Sequence, residues 1–269
     1  MTIVNRMSIG NRAAVLAGAL SLAAVSMAGA QTSGGDFHWS KSLPSGDRVR
    51  VSNISGDITV TPSTNGQVSV VGIKRGDRDA YGDVHAVAEE RSDGVEICVI
   101  YGDGDRCDED NDYHRSRHRG EDARIDFQVA VPANLMVSAS SVSGDVKLTG
   151  TQGDIRASSV SGDVHLDHLH ATSLHATTVS GDIDAQMDAL GGSGDLEFET
   201  VSGDVGLEMP QALDADLRMS TVSGSIDSDY PLTVNGGMSR RSLDARIGKG
   251  GRRLAISTVS GDVRLRSTK

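Results

Sequence analysis

Val142-Ser143-Gly144-Asp145-Val146 returns as Val160-Ser161-Gly162-Asp163-Val164, Val179-Ser180-Gly181-Asp182-Ile183, Val201-Ser202-Gly203-Asp204-Val205, Val222-Ser223-Gly224-Ser225-Ile226 and Val259-Ser260-Gly261-Asp262-Val263. The glycines at 144, 162, 181, 203 and 224 put successive copies 18, 19, 22 and 21 residues apart. That step is too short for a pair of helices, and a fixed period of this kind means one structural unit stacked on copies of itself. Apolar residues within a copy fall at even spacing, as in Val142, Val146 and Leu148, with the glycine at an intervening position of the same parity. That is a strand period. On this reading Ser141, Ser143, Asp145 and Lys147, of the other parity, form a solvated outer face.

Weaker copies lie midway between strong ones. Gln152-Gly153-Asp154-Ile155 falls nine residues after Gly144 and nine before Gly162, and Ser193-Gly194-Asp195-Leu196 falls nine before Gly203. One coil therefore holds two strand-and-turn halves. Glycine supplies the positive φ or close backbone approach at each bend, and Asp and Ser hydrogen-bond neighbouring backbone there. The expected structural turn positions are Gly56, Gly144, Gly162, Gly181, Gly203, Gly224 and Gly261.

These features predict an all-β chain, a parallel β-solenoid (β-helix-like) of short coils of about 18–22 residues stacked at ~4.8 Å. Stacking in register would place Val on Val in every layer, which suits a chain with only eight aromatic residues (one Trp, four Tyr, three Phe). A β-sandwich of short antiparallel strands is the alternative; it shares the regular turn signals without requiring near-identical turns.

Residues 1–30 read as a secretory signal peptide. Arg6 and Arg12 precede the apolar run Ala13 to Val25, and Ala28-Gly29-Ala30 forms a small-residue cleavage pattern ahead of Gln31. The run is short for a bilayer span, and no later stretch is apolar enough to cross a membrane. The expectation is an exported protein of the periplasm or cell surface. Removing residues 1–30 takes away two arginines and no acids, moving the formal charge from −11 to −13.

That charge is uneven. Residues 238–269 carry nine basic side chains against Asp244 and Asp262, a local +7, leaving −20 on residues 31–237. The balance disfavours nucleic acid as a partner. It also predicts a basic C-terminal cap, with Arg252, Arg253, Arg264, Arg266 and Lys269 around the final strand and self-association possible through the solenoid ends.

The chain divides into the signal peptide 1–30, an N-terminal β region 31–134 of the same solenoid, and regular repeats from 135 to 269. The N-terminal region already holds one copy, Ile54-Ser55-Gly56-Asp57-Ile58, and an acidic loop at 102–122. Cys98 and Cys107 are the only cysteines, and in an oxidising compartment they read as a disulfide.

At Ile125-Asp126-Phe127-Gln128-Val129-Ala130-Val131-Pro132, at the repeated Val-Ser-Gly-Asp-Val copies and at Gly248-Lys249-Gly250-Gly251 ahead of the last copy, the chain resembles the putative-adhesin family of bacterial envelope proteins. The likeness covers most of residues 40–269. It implies a β-solenoid domain of unknown function, adhesin-like through its form, and the loop 102–122 looks like an insertion to which this does not extend.

Candidate chemistry is sparse. The stacked carboxylates Asp145, Asp163, Asp182, Asp204 and Asp262 read either as a calcium ladder or as side chains each accepting backbone N–H bonds at its own turn; Ser225 standing in the motif favours the second. Asp103, Asp105, Asp108 and Asp110, with Glu109, Asn111 and Asp112, could gather around calcium, or form a solvated loop neutralised by Arg115, Arg117 and Arg119. His168 and His170 share a strand face within the histidine-rich stretch 165–175 and are the weak zinc or copper candidates. There is no Gly-x-Ser-x-Gly elbow, His-Glu-x-x-His or phosphate loop. The reading is a non-enzymatic, adhesin-like envelope protein acting on an envelope protein or glycan, with no catalytic residue and no cofactor assigned. A carbohydrate-active β-helix enzyme and a metal-binding scaffold are the alternatives.

Overall fold

The computed structural model describes residues 36–102, 106–107, 123–235 and 239–268, with the backbone alone at Asp83. The signal-peptide stretch and Asp103, Asp105, Asp108 and Asp110 lie outside the described residues. What is described is all-β save for one 3₁₀ turn, Arg78–Asp83. No helix among the described residues is long and apolar enough to cross a membrane.

Each coil is two strands joined at a motif glycine. Met136–Ser143 turns at Gly144 into Val146–Thr149, and Leu196–Ser202 turns at Gly203 into Val205–Met209. Coils pair in parallel and in register, Val146 with Val164, Val164 with Ile183, Ile183 with Val205. Each of these side chains is fully buried, worth ~1.5–3 kcal/mol apiece. A sandwich of antiparallel strands would pair none of them this way. The solenoid reading is therefore the fold.

The order of coils along the stack is not the order along the chain. The coil of Gly56 (Arg48–Ser55, Ile58–Pro62) lies between the Gly144 coil and the strands Gly94–Tyr101 and Ala123–Val131. At the other end the last coil in sequence (Arg252–Ser260, Val263–Ser267) is slotted between the Gly203 coil and the Gly224 coil (Ala215–Ser223, Ile226–Ser228). The expected basic cap is thus an interior layer.

The reason is visible in its partners. Arg264 spans Asp204 at 2.9 Å and Asp262 at 2.7 Å, and Arg266 holds Asp227 and Asp229 at 2.8 and 2.7 Å. Arg252 is buried, its guanidinium donating to the carbonyls of Thr172, Gly191 and Gly192. The basic residues of this coil answer its own Asp262 and acids and carbonyls of other layers of the stack.

Antiparallel strands close both ends. Val84–Arg91 covers Gly94–Tyr101, while Val68–Gly76 and then Phe37–Lys41 cover Ala123–Val131. Ser242–Ile247 and Leu232–Val234 cover Ala215–Ser223. This is where the degraded repeat between Gly224 and Gly261 goes.

Cys98 and Cys107 form a disulfide, with Cα atoms 5.8 Å apart. Cys107 is also held by its neighbours, its N–H donating to Glu89 at 2.7 Å and its carbonyl accepting from Arg91 at 2.8 Å. The bridge closes a short loop, so replacing both cysteines by alanine is expected to cost about 2–3 kcal/mol. Denaturant melts of the double variant against the parent check this, and an unchanged midpoint would show that the Glu89 and Arg91 contacts hold the segment without the bridge.

Candidate functional site

The motif corner is a set of hydrogen-bonded columns running along the stack. Glycine turns the chain so sharply that the following N–H leaves the ordinary ladder, and the aspartate one coil away accepts it. Asp57 N–H donates to Asp126 Oδ1, Asp145 N–H to Asp57, Asp163 N–H to Asp145, Asp182 N–H to Asp163, Asp204 N–H to Asp182, Asp262 N–H to Asp204 and Ser225 N–H to Asp262, all at 2.7–3.2 Å. Each carboxylate serves the neighbouring coil, where its own turn was expected to be served. Among the described residues Ser225 is the last rung: no further coil offers it an N–H, so it needs no carboxylate.

A second column is buried. Ser141, Ser159, Thr178, Thr200, Thr258 and Thr221 donate their hydroxyls to the glycine carbonyls of adjacent coils at 2.9–3.2 Å. These residues were expected on the solvated face, and the motif valines in the core. The structure reverses both for these hydroxyl residues and for the first valine of each copy, while the second, Val146 and its equivalents, is in the core and Ser143, Asp145 and Lys147 are outside as expected. The positive-φ glycine shifts the alternation by one, so Ser141 faces inward before the corner and Val146 after it. Val160, Val179, Val201 and Val259 are each 45% exposed, and Val222 is 64% exposed.

The outward valines border a groove of about 390 Å³. Its floor is Ser52, Ser140, Ser158 and Thr177, one ridge is Ile54, Val142, Val160 and Val179, and Cys98 and Val99 contribute to its lining. A second cavity, of about 350 Å³ and lined by charged side chains, lies along the same strands. Two of its carboxylates are engaged: Asp154 Oδ1 accepts from Thr172 at 2.8 Å and Ser173 at 2.7 Å, and Glu197 lies 3.2 Å from His175 and 3.7 Å from Arg253.

His168 has a left-handed φ of 55° and its Nδ1 is 3.1 Å from Asp188, while His170 stands exposed on the other side of Leu169. Among the described residues no three His, Cys, Asp or Glu side chains gather as a metal site. The corner glycines 56, 144, 162, 181, 203 and 261 have φ between 113° and 158°. At Gly224 an added Cβ would lie 1.9 Å from the Gly261 carbonyl oxygen.

Hydrogen bonding depresses several carboxyl pKa values. The Ser225 N–H and then its hydroxyl lower Asp262, the Ser173 and Thr172 hydroxyls lower Asp154, and the Gly251 N–H followed by Arg246 lowers Asp216. Asp184 runs the other way, raised by burial against the opposing pull of His165. A lowered folded pKa gives stability that is complete above the unfolded value of ~3.9 and is lost as pH falls through the folded one. The thermal midpoint is therefore expected to drop below about pH 4. A midpoint unchanged down to pH ~3 would show that these bonds do not favour the ionised form.

No curated protein matches the sequence. In structure the chain is similar to a putative cell adhesion protein from Clostridium sporogenes, with 9% identity, 86% of this chain and 99% of that one covered, and a TM-score of 0.47. It is similar also to a putative adhesin from Bacteroides fragilis, at 12% identity, 89% and 100% coverage and TM-score 0.42. A third, a putative adhesin from Parabacteroides distasonis, has 14% identity, 87% and 97% coverage and TM-score 0.32. The Toastrack DUF4097 family matches residues 30–266, and with that span, repeat and fold the chain belongs to the Toastrack DUF4097 family.

Proposed function

We propose that this chain is an exported, non-enzymatic, adhesin-like protein of the periplasm or cell surface, working through protein or glycan contacts on the outer face of its solenoid. One observation carries the reading. The motif carboxylates, the most numerous candidates for acid–base chemistry, are each committed to the N–H of the next coil, while the valine and serine columns beside them face solvent in a regular array. A repeating, rigid, outward array suits contact with an extended partner; a catalytic pair needs two carboxyls set apart by environment. The leader-like residues 1–30 and the disulfide support export.

The test uses the mature chain, beginning near Gln31, immobilised and exposed to envelope extract, with reducing-end release from envelope polysaccharide measured in parallel. Retention of a defined protein or glycan without new reducing ends is expected. New reducing ends would install the carbohydrate-active alternative, and no retention would remove the contact reading. Intact-mass analysis of the chain recovered from cells is expected to show an N-terminus at or near Gln31; a chain still carrying residues 1–30 would overturn export.

A further inference from the structure

The aspartate ladder is neutralised at both ends and left bare in the middle. Asp126 has Arg75 at 3.1 Å and Arg124 at 3.5 Å, and Arg264 bridges Asp204 and Asp262. Asp57, Asp145, Asp163 and Asp182 have no cationic side chain within ion-pair distance among the described residues; Lys147, close by in sequence, is turned to Asp167 at 3.3 Å. Those four coils are also the ones whose Ile54, Val142, Val160 and Val179 form the ridge of the 390 Å³ groove. An apolar ridge, a floor of hydroxyls and a row of uncompensated carboxylates thus run side by side over the same span.

We propose that this corner binds an extended cationic peptide in the polyproline II conformation, with a basic side chain at every third position. This rests on the contact reading above and names its partner. Charge selects the sign, since the exposed row is anionic on a chain of net charge −11. Spacing selects the conformation. Rungs repeat at ~4.8 Å, so two rungs span ~9.6 Å, and a polyproline II turn of three residues rises ~9.3 Å. Each third side chain therefore meets alternate carboxylates with little drift. Same-face side chains of a β-strand recur every ~6.7 Å and fall between rungs, while an α-helix gains ~0.6 Å per rung. Apolar residues between the basic ones would lie against the valine ridge, and the groove's hydroxyls would meet the peptide carbonyls that this conformation leaves unpaired.

The probe is a labelled twelve-residue peptide repeating Lys-Pro-Val, compared with peptides repeating Glu-Pro-Val and alternating Lys-Val, by fluorescence polarisation on the mature chain at about 50 and about 300 mM salt. The Lys-Pro-Val peptide is expected to bind tightest and to weaken with salt. Binding is expected to fall at least about tenfold in D145N/D163N/D182N, whose amide oxygens still accept the ladder N–H groups, and in V142S/V160S/V179S, with thermal melts confirming that both variants fold. Equal binding of all three peptides, no binding, no loss in either variant, or displacement by spermine as effective as by unlabelled peptide would overturn the proposal. If the peptide fails while the immobilised chain still retains an envelope component, the groove assignment falls and the contact reading stands; if the peptide binds and no component is retained, the reverse holds.

Discussion

Gly162→Val is expected to yield no folded protein, whereas Asp163→Asn, one residue away, keeps nearly full stability. The glycine has φ 153°, and a Cβ there would stand 2.3 Å from the Gly144 carbonyl oxygen and 2.6 Å from its carbon. Backbone of a paired coil cannot move aside without breaking its own bonds, among them the Ser159 hydroxyl donation to that same oxygen. A β-branched side chain adds a disfavoured φ to the collision. The combined loss should exceed about 4 kcal/mol, a large part of the ~5–15 kcal/mol that holds a domain together. Asparagine at 163 retains an oxygen for the Asp182 N–H, at 2.8 Å from the aspartate, so its cost should stay below about 1 kcal/mol. Denaturant melts and soluble yield compare the two; similar small losses would mean that the coils can part at the corner to admit a side chain.

Ending the chain before Arg252 is the second large effect. In a solenoid whose last strands cap the stack, such a truncation removes one interface. Here it empties a slot between two coils. Leu254, Ile256, Val263 and Leu265 are buried to within 1% and together represent ~6–12 kcal/mol of apolar burial, and the Gly203 and Gly224 coils would face each other with both ladders unpaired. The truncated chain is expected to aggregate, as judged by soluble yield and size-exclusion elution. A soluble, monomeric product with a cooperative melt would show that the two coils close over the gap.

The architecture was legible because its signal is local and repeated: the glycine copies, the half-coil copies at Gly153 and Gly194, and the strand alternation of 124–131 all correspond to described strands or turns. The facing of Val142 and its equivalents was not. Even spacing from Val142 to Val146 and Leu148 looks like one face, and only the left-handed glycine between them, invisible to simple alternation, puts Val142 outside. The six Ser and Thr residues three positions before each motif glycine were the available clue, since a solvated site has no reason to restrict itself to small hydroxyls. Asp126 lies in a strand without the motif, and its part as first rung depends on a neighbour 69 residues away in sequence. The order of coils is likewise set by long-range pairing, which a repeat of near-identical units cannot specify from its own pattern. Arg264 and Arg266 carried that information as charge, meaningful once Asp204 and Asp227 are seen beside them.

The aspartate rungs have a direction: each coil gives an N–H to one neighbour and an oxygen to the other. A unit such as residues 144–161 carries the Asp145 N–H as its donor, the Asp145 carboxylate as its acceptor and its own hydroxyl, Ser159, for its own Gly144 carbonyl. Copying or excising such a cassette leaves every remaining rung matched, because what it takes from one side it returns on the other. Asp126, with its arginines, and Ser225, which accepts no further rung among the described residues, are the positions that cannot be copied this way. Length in this protein is therefore an adjustable quantity with fixed terminators, and a gene encoding it can grow or shrink by whole coils without redesigning either end.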